Sequence, residues 1–123
     1  PIVILIMKRK PIAQGFMNSL KGSPDIFLVY EPYIIGLTNI HKHKAKVALI
    51  EVAETGPYDI VYCLALCNEL REAAPECKLI LMCSDQDEKT IEQVIDAMGK
   101  NYIDDFVFFD VTIDYLASKL KSI

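Results

Sequence analysis

The sequence predicts an α/β protein built on one doubly wound sheet of five parallel strands in the order 2-1-3-4-5. Three observations predict it. Five short apolar runs rich in β-formers recur along the chain, and each is followed by a stretch with helical spacing. Every connection is short, which calls for right-handed crossovers between parallel strands. The run 46–52 carries a carboxylate, Glu51, at its end, with the turn formers Gly56 and Pro57 beyond it. Side chains just past the carboxyl ends of parallel strands line the ligand crevice, so Glu51 stands where such a protein keeps its chemistry.

The chain of 123 residues fits a single domain, 1–123, with one core. Its 52% hydrophobic and 24% charged residues are those of an ordinary folded domain, not a disordered one. A net charge of -4 argues against nucleic acid as a direct partner, because phosphate contacts call for a basic face. The apolar run 1–7 is far short of the roughly 20 residues needed to span a bilayer, and it lacks the basic start and cleavage site of a signal peptide. With Pro1 at its head, the sequence is open to being a piece of a longer polypeptide. Cys63, Cys67, Cys77 and Cys83 show no zinc spacing. They read as small buried side chains in a reducing, cytoplasmic compartment.

The first strand, 1–7, is apolar without alternation and so covered on both faces. Lys8-Arg9-Lys10-Pro11 follows at its carboxyl end. Ile12, Phe16, Met17 and Leu20 then recur at helical spacing, and Gly22 and Pro24 stop this first helix. Residues 25–30 read as strand two. Residues 33–44 read as a short helix with Leu37 and Ile40 inward, and 46–52 as strand three. Asp59 is a good cap for the third helix, with Ile60, Cys63, Leu64, Cys67 and Leu70 as its inner stripe. Pro75 ends it, since its ring cannot continue the hydrogen-bond ladder. Strand four is 78–83. Ser84 to Asp87 fits a capping box opening helix four, with Ile91, Val94, Ile95 and Met98 inward and Gly99 closing it. Strand five is 105–109. Thr112 caps a last helix with Ile113, Leu116 and Leu120 inside, and Lys119 and Lys121 near its carboxyl end.

This layout, over essentially the whole chain, resembles the receiver domain of two-component response regulators, a flavodoxin-like three-layer sandwich. The resemblance can be followed at each strand end. After strand one the family carries acidic residues closed by proline, which hold a divalent cation; here the place reads Lys8-Arg9-Lys10-Pro11, with the proline kept and the charge reversed. Glu51 stands where the family has its phosphate-accepting aspartate. The family's loop has a proline four residues on, where this chain has Thr55 followed by Gly56-Pro57. Cys83, or Ser84 with a one-residue slip, matches the threonine or serine after strand four. Asp104-Asp105-Phe106 matches the acidic pair and aromatic that introduce strand five, and Phe106 falls at the switch aromatic. Phe109 and Asp110 stand where the family has lysine and cis-proline. The resemblance therefore implies an atypical pseudo-receiver.

The substitutions have physical consequences. Magnesium wants hard oxygen ligands, and Lys8 and Arg9 supply none. Two like charges about 4 Å apart repel by roughly 4 kcal/mol at an effective dielectric near 20, and more for a divalent ion. No magnesium, other metal or cofactor is expected. Glu51 has two readings: a carboxylate reaching toward the place of a phosphoryl group and mimicking it, or a structural carboxylate satisfying polar groups at a strand end. The cluster Lys8-Arg9-Lys10 is either a charge-balanced loop or a site for an anion near the amino end of helix one. His41 and His43, two apart, face different ways on a helix and read as surface residues.

What the resemblance implies is a non-enzymatic signalling or dimerisation module. It would contact a protein partner, a tethered effector or a second copy through helix four, strand five and helix five, with Phe106, Tyr102 and Tyr115 as candidates for that face. The alternative is a flavodoxin-like domain holding a small anionic ligand on Lys8, Arg9 and Lys10. An enzyme using Cys83 as nucleophile lacks a placed base. A working phosphoacceptor would need Asp59 or Glu54 as substitute.

Overall fold

The computed structural model describes residues 2–22 and 25–122, without the side chains of residues 35–37, 41 and 113. The expectations for Leu37, His41, Ile113 and Pro24 therefore lie outside the described residues. Alternation of element types along the chain gives β1 (Ile2–Ile6), α1 (Lys10–Ser19), β2 (Phe27–Glu31), α2 (Tyr33–His43), β3 (Val47–Glu51), α3 (Ile60–Ala73), β4 (Lys78–Cys83), α4 (Glu88–Gly99), β5 (Asp105–Phe108) and α5 (Ile113–Lys121). The five strands are all parallel and lie in the predicted order β2-β1-β3-β4-β5. Among the described residues no helix is long and apolar enough to cross a membrane.

The period-two geometry of a strand divides the core in two. Ile4, Ile6, Ala48, Ile50, Leu79 and Leu81 face α2, α3 and α4. Their neighbours Val3, Leu5, Val47, Leu49, Ile80 and Met82 face α1 and α5. This explains why β1, residues 47–50 of β3 and residues 79–83 of β4 are apolar without alternation: both faces are covered. Each fully buried side chain of this kind contributes about 1.5–3 kcal/mol.

Several boundaries and stripes differ from the reading. The first helix starts at Lys10, with Pro11 in its opening turn, where the missing N–H costs nothing. It buries Ala13 and Phe16, and Ile12 is exposed. The second strand runs Phe27–Glu31, not 25–30, and Phe27 is exposed on this edge strand. In α3 the buried stripe includes Leu66, and Leu64 is only half-buried. In α4 the buried residues are Thr90, Val94 and Ala97, and Ile95 points outward. The α4 cap is Asp87, which accepts from Thr90 N, rather than Ser84, which accepts from Gln86 N at 3.1 Å within the preceding turn. The caps Asp59 and Thr112 stand as expected, accepting from Tyr62 N and Tyr115 N.

A candidate site at the carboxyl end of the sheet

Glu51 closes β3 as its last residue and is buried, at 2% exposure. A buried carboxylate needs partners or a countercharge, and the chain after β1 supplies both. The backbone N–H groups of Lys8 and Arg9 each donate to Glu51 Oε1 at 3.0 Å. Arg9 Nε donates to Oε2 at 2.5 Å and forms an ion pair with it. The Arg9 guanidinium also lies over the Phe109 ring, 4.6 Å from its centroid. Arg9 is thus held between a carboxylate from the end of β3 and an aromatic face just past β5.

Lys8 turns the other way. Its Nζ donates to the Thr55 carbonyl at 3.0 Å and to Thr55 Oγ1 at 3.4 Å. The loop it reaches is pinned by Ala53 N donating to Tyr58 O and by Gly56 in the left-handed region, φ +86°. A side chain at Gly56 would be strained there, and its Cβ would sit 3.4 Å from the Lys8 ammonium. Lys10 lies over Tyr30 at 5.9 Å from the ring centroid. Each of the three cations therefore has its own internal contact, and the three do not converge on one anion-sized space. What remains open is a cleft of about 160 Å³ lined by Lys8, Arg9, Glu51, Thr55 and Phe109, among others. That is below the roughly 300–1,000 Å³ of small-molecule sites.

Behind Glu51 lies a layer that the sequence reading missed. The Tyr33 hydroxyl donates to the Glu51 carbonyl, and the Cys63 thiol approaches the same oxygen at 3.6 Å. Tyr33 stacks on Tyr58 with ring centroids 4.0 Å apart, and Tyr62 meets both rings edge-on. Burial, first of all, pushes the Tyr33 hydroxyl and the Cys63 thiol well above their ordinary ranges, and the Glu51 charge adds to it. Both stay neutral donors at the back of the strand end. The signal available in the sequence was Tyr58 and Tyr62 just past the Glu51 loop, but nothing local says that they meet Tyr33, 18 residues before Glu51.

Cys83 is fully buried at the end of β4, and its thiol is pushed up to about 11 by burial, with Asp87 and Asp85 adding to it. A thiol kept protonated and covered is not a nucleophile. Phe109 N donates to the Cys83 carbonyl at 2.9 Å, which sets the Phe109 ring over the site. Phe106 is half-buried and meets Phe108 edge-on. The acidic pair that opens β5 is split between two helices. Asp104 accepts from Leu79 N at 2.9 Å and pairs with Arg71 of α3 at 2.9 Å; Asp105 pairs with Lys119 of α5. Lys119 therefore does more than favour the end of its own helix. His43 is not a free surface residue, since it meets Glu31 at 2.9 Å.

No protein-family profile and no curated sequence relative matches the chain. Solved structures do, over almost all of it. A CheY-like protein (TadZ) from Pseudomonas aeruginosa is 16% identical, with a TM-score of 0.72 over 98% of this chain and 97% of that one. A two-component response regulator from Clostridium difficile is 16% identical, with a TM-score of 0.77 over 98% and 93% of the two chains. An adenylate cyclase from Rhodopirellula baltica is 11% identical, with a TM-score of 0.80 over 98% and 84%. With the same strand order, the same alternation of elements and near-complete coverage, this chain has the CheY-like fold of response-regulator receiver domains.

Proposed function

We propose that the chain is an atypical receiver domain that works without phosphorylation, as a signalling, dimerisation or protein-interaction module, and is not itself an enzyme. In this reading Glu51 takes the phosphoacceptor position, and Lys8 and Arg9 replace the acidic pocket. Cys83 replaces the threonine or serine, Phe109 the lysine, and Phe106 stands at the switch aromatic. The observation that carries it is the Glu51–Arg9 pair, with both Glu51 oxygens already engaged by Lys8 and Arg9. A metal-assisted transfer needs a cation bridging the attacking carboxylate and the incoming phosphate. Here a guanidinium fills that electrostatic role from within the chain. The adenylate cyclase likeness, at 11% identity, carries over no activity.

The partner in this reading is a protein, a tethered effector or a second copy, met through α4, β5 and α5. Tyr102 and Tyr115 are each more than half exposed, and rings with a polar tip are enriched at protein contacts, which supports them as candidate contact residues. Phe106, Tyr115 and Lys119 line a groove of about 410 Å³ along β5. The four free, buried thiols suit a reducing cytoplasm. Sedimentation velocity over the micromolar range tests the dimer form of the proposal. Self-association that weakens about tenfold in Tyr115→Ala is expected for a residue at the centre of a contact. Unchanged self-association in that variant would remove this face from the account.

A further inference from the structure

A second groove, of about 680 Å³, lies away from Glu51 between α3 and the turn after α4. Its volume falls within the range of small-molecule sites. Leu64 and Ala65 of α3 give it an apolar side. Tyr102, which is 54% exposed, also lines it. Tyr102 is not loosely displayed. Asn101 before it adopts φ +62°, and Tyr102 N donates to the Ala97 carbonyl at 2.9 Å, so the turn fixes where the ring begins.

Two cations and no carboxylate line the groove, although the chain as a whole carries a net charge of -4. Arg71 is held in place by Asp104 at 2.9 Å and by the Asn101 carbonyl at 3.4 Å. A guanidinium has five N–H donors in a rigid fork, so these contacts leave it unsaturated, and its Nε is buried with no acceptor among the described residues. Lys100 is half exposed, and its pair with Asp96 at 3.0 Å is a solvent-screened surface contact of little strength. A ligand can therefore recruit the ammonium at little cost. Asn68 adds a side-chain amide beside them.

An apolar side, an aromatic ring carried on a pinned backbone turn and two cations match one ligand chemistry. We propose that this groove binds a small aromatic anion, its ring against Tyr102 and Leu64 and its carboxylate or similar group between Arg71 and Lys100. The site is independent of the Glu51 pair, so it stands whether or not Glu51 ever accepts a phosphoryl group.

The test is a titration of isotope-labelled protein with naphthoate and, separately, with its uncharged counterpart naphthylmethanol, read by amide chemical shifts. Shifts confined to residues 64–71 and 100–104, with naphthoate binding at least fivefold tighter than the alcohol, are expected if the two cations act on the carboxylate (roughly 1 kcal/mol). Lys100→Glu should erase that preference. Tyr102→Ser should weaken both probes; both variants change exposed side chains, so the fold is retained. Shifts scattered elsewhere, equal affinity for the two probes, no shifts at about 10 mM probe, or variants that bind like the parent would each overturn the proposal.

Discussion

Arg9 is the side chain on which the Glu51 site depends. Without it a carboxylate at 2% exposure keeps two backbone partners and loses its countercharge. Arg9→Ala is expected to lower stability by about 1–3 kcal/mol, the cost of leaving a buried charged group under-satisfied. Arg9→Lys should recover only part, because an ammonium lacks the planar fork and stacks less well on Phe109. Urea denaturation decides between this and a solvated surface pair, for which the loss would be within about 0.5 kcal/mol. The buried thiols give a pH signature. Burial first pushes Cys67 up to about 12 and Cys77 and Cys83 up to about 11, from 9.0. A raised folded value means that the unfolded chain loses its protons first. The stability is therefore complete below pH 9.0 and is lost as pH rises toward 11 and 12. A fall on the order of 1–2 kcal/mol per thiol by pH 11 is expected in the denaturation midpoint; a flat profile would mean that these thiols are open to solvent. Glu51 was legible because an apolar run that carries a carboxylate at its end announces itself. Its partners were not legible. The contact of Arg9 with Phe109 joins residues 100 positions apart, and only the sheet brings them together.

The elements were mostly legible, because strands covered on both faces and helices with polar caps leave local marks. Asp59, Asp87 and Thr112 each accept from the N–H three residues on. Replacing Asp59 by Ala should cost about 1 kcal/mol, and replacing Asp87 by Ala should also lower stability, read from thermal or urea unfolding. Ser84→Ala should cost less, since its hydroxyl serves one turn N–H rather than a helix end; equal losses at Ser84 and Asp87 would return the cap to Ser84. The helix stripes were misread in a consistent way. Ile12 and Ile95 were favoured by size, yet Ala13 and Ala97 take the buried places. A helix lying on a sheet needs small residues where the backbones come closest, and hydrophobic periodicity scores bulk rather than fit. The neighbours of such positions then carry large side chains that are partly or wholly exposed.

At the scale of the molecule the strand order followed from short connections and handedness alone, and the structure has that order. The sheet gathers the ends of β1, β3, β4 and β5 into one place, where ligands of such folds sit. In this chain the gathered residues satisfy one another: Glu51 with Arg9, Arg9 with Phe109, and Lys8 with Thr55. The fold keeps its shape while its crevice is closed by an internal ion pair. That closure is the central claim, and phosphorylation tests it directly. The protein would be incubated with phosphoramidate and magnesium and its intact mass measured, with Arg9→Ala alongside. An unchanged mass for the parent is what the account predicts. A stoichiometric phosphoryl adduct on the parent would contradict it, because it would mean that a carboxylate at this strand end remains free to react.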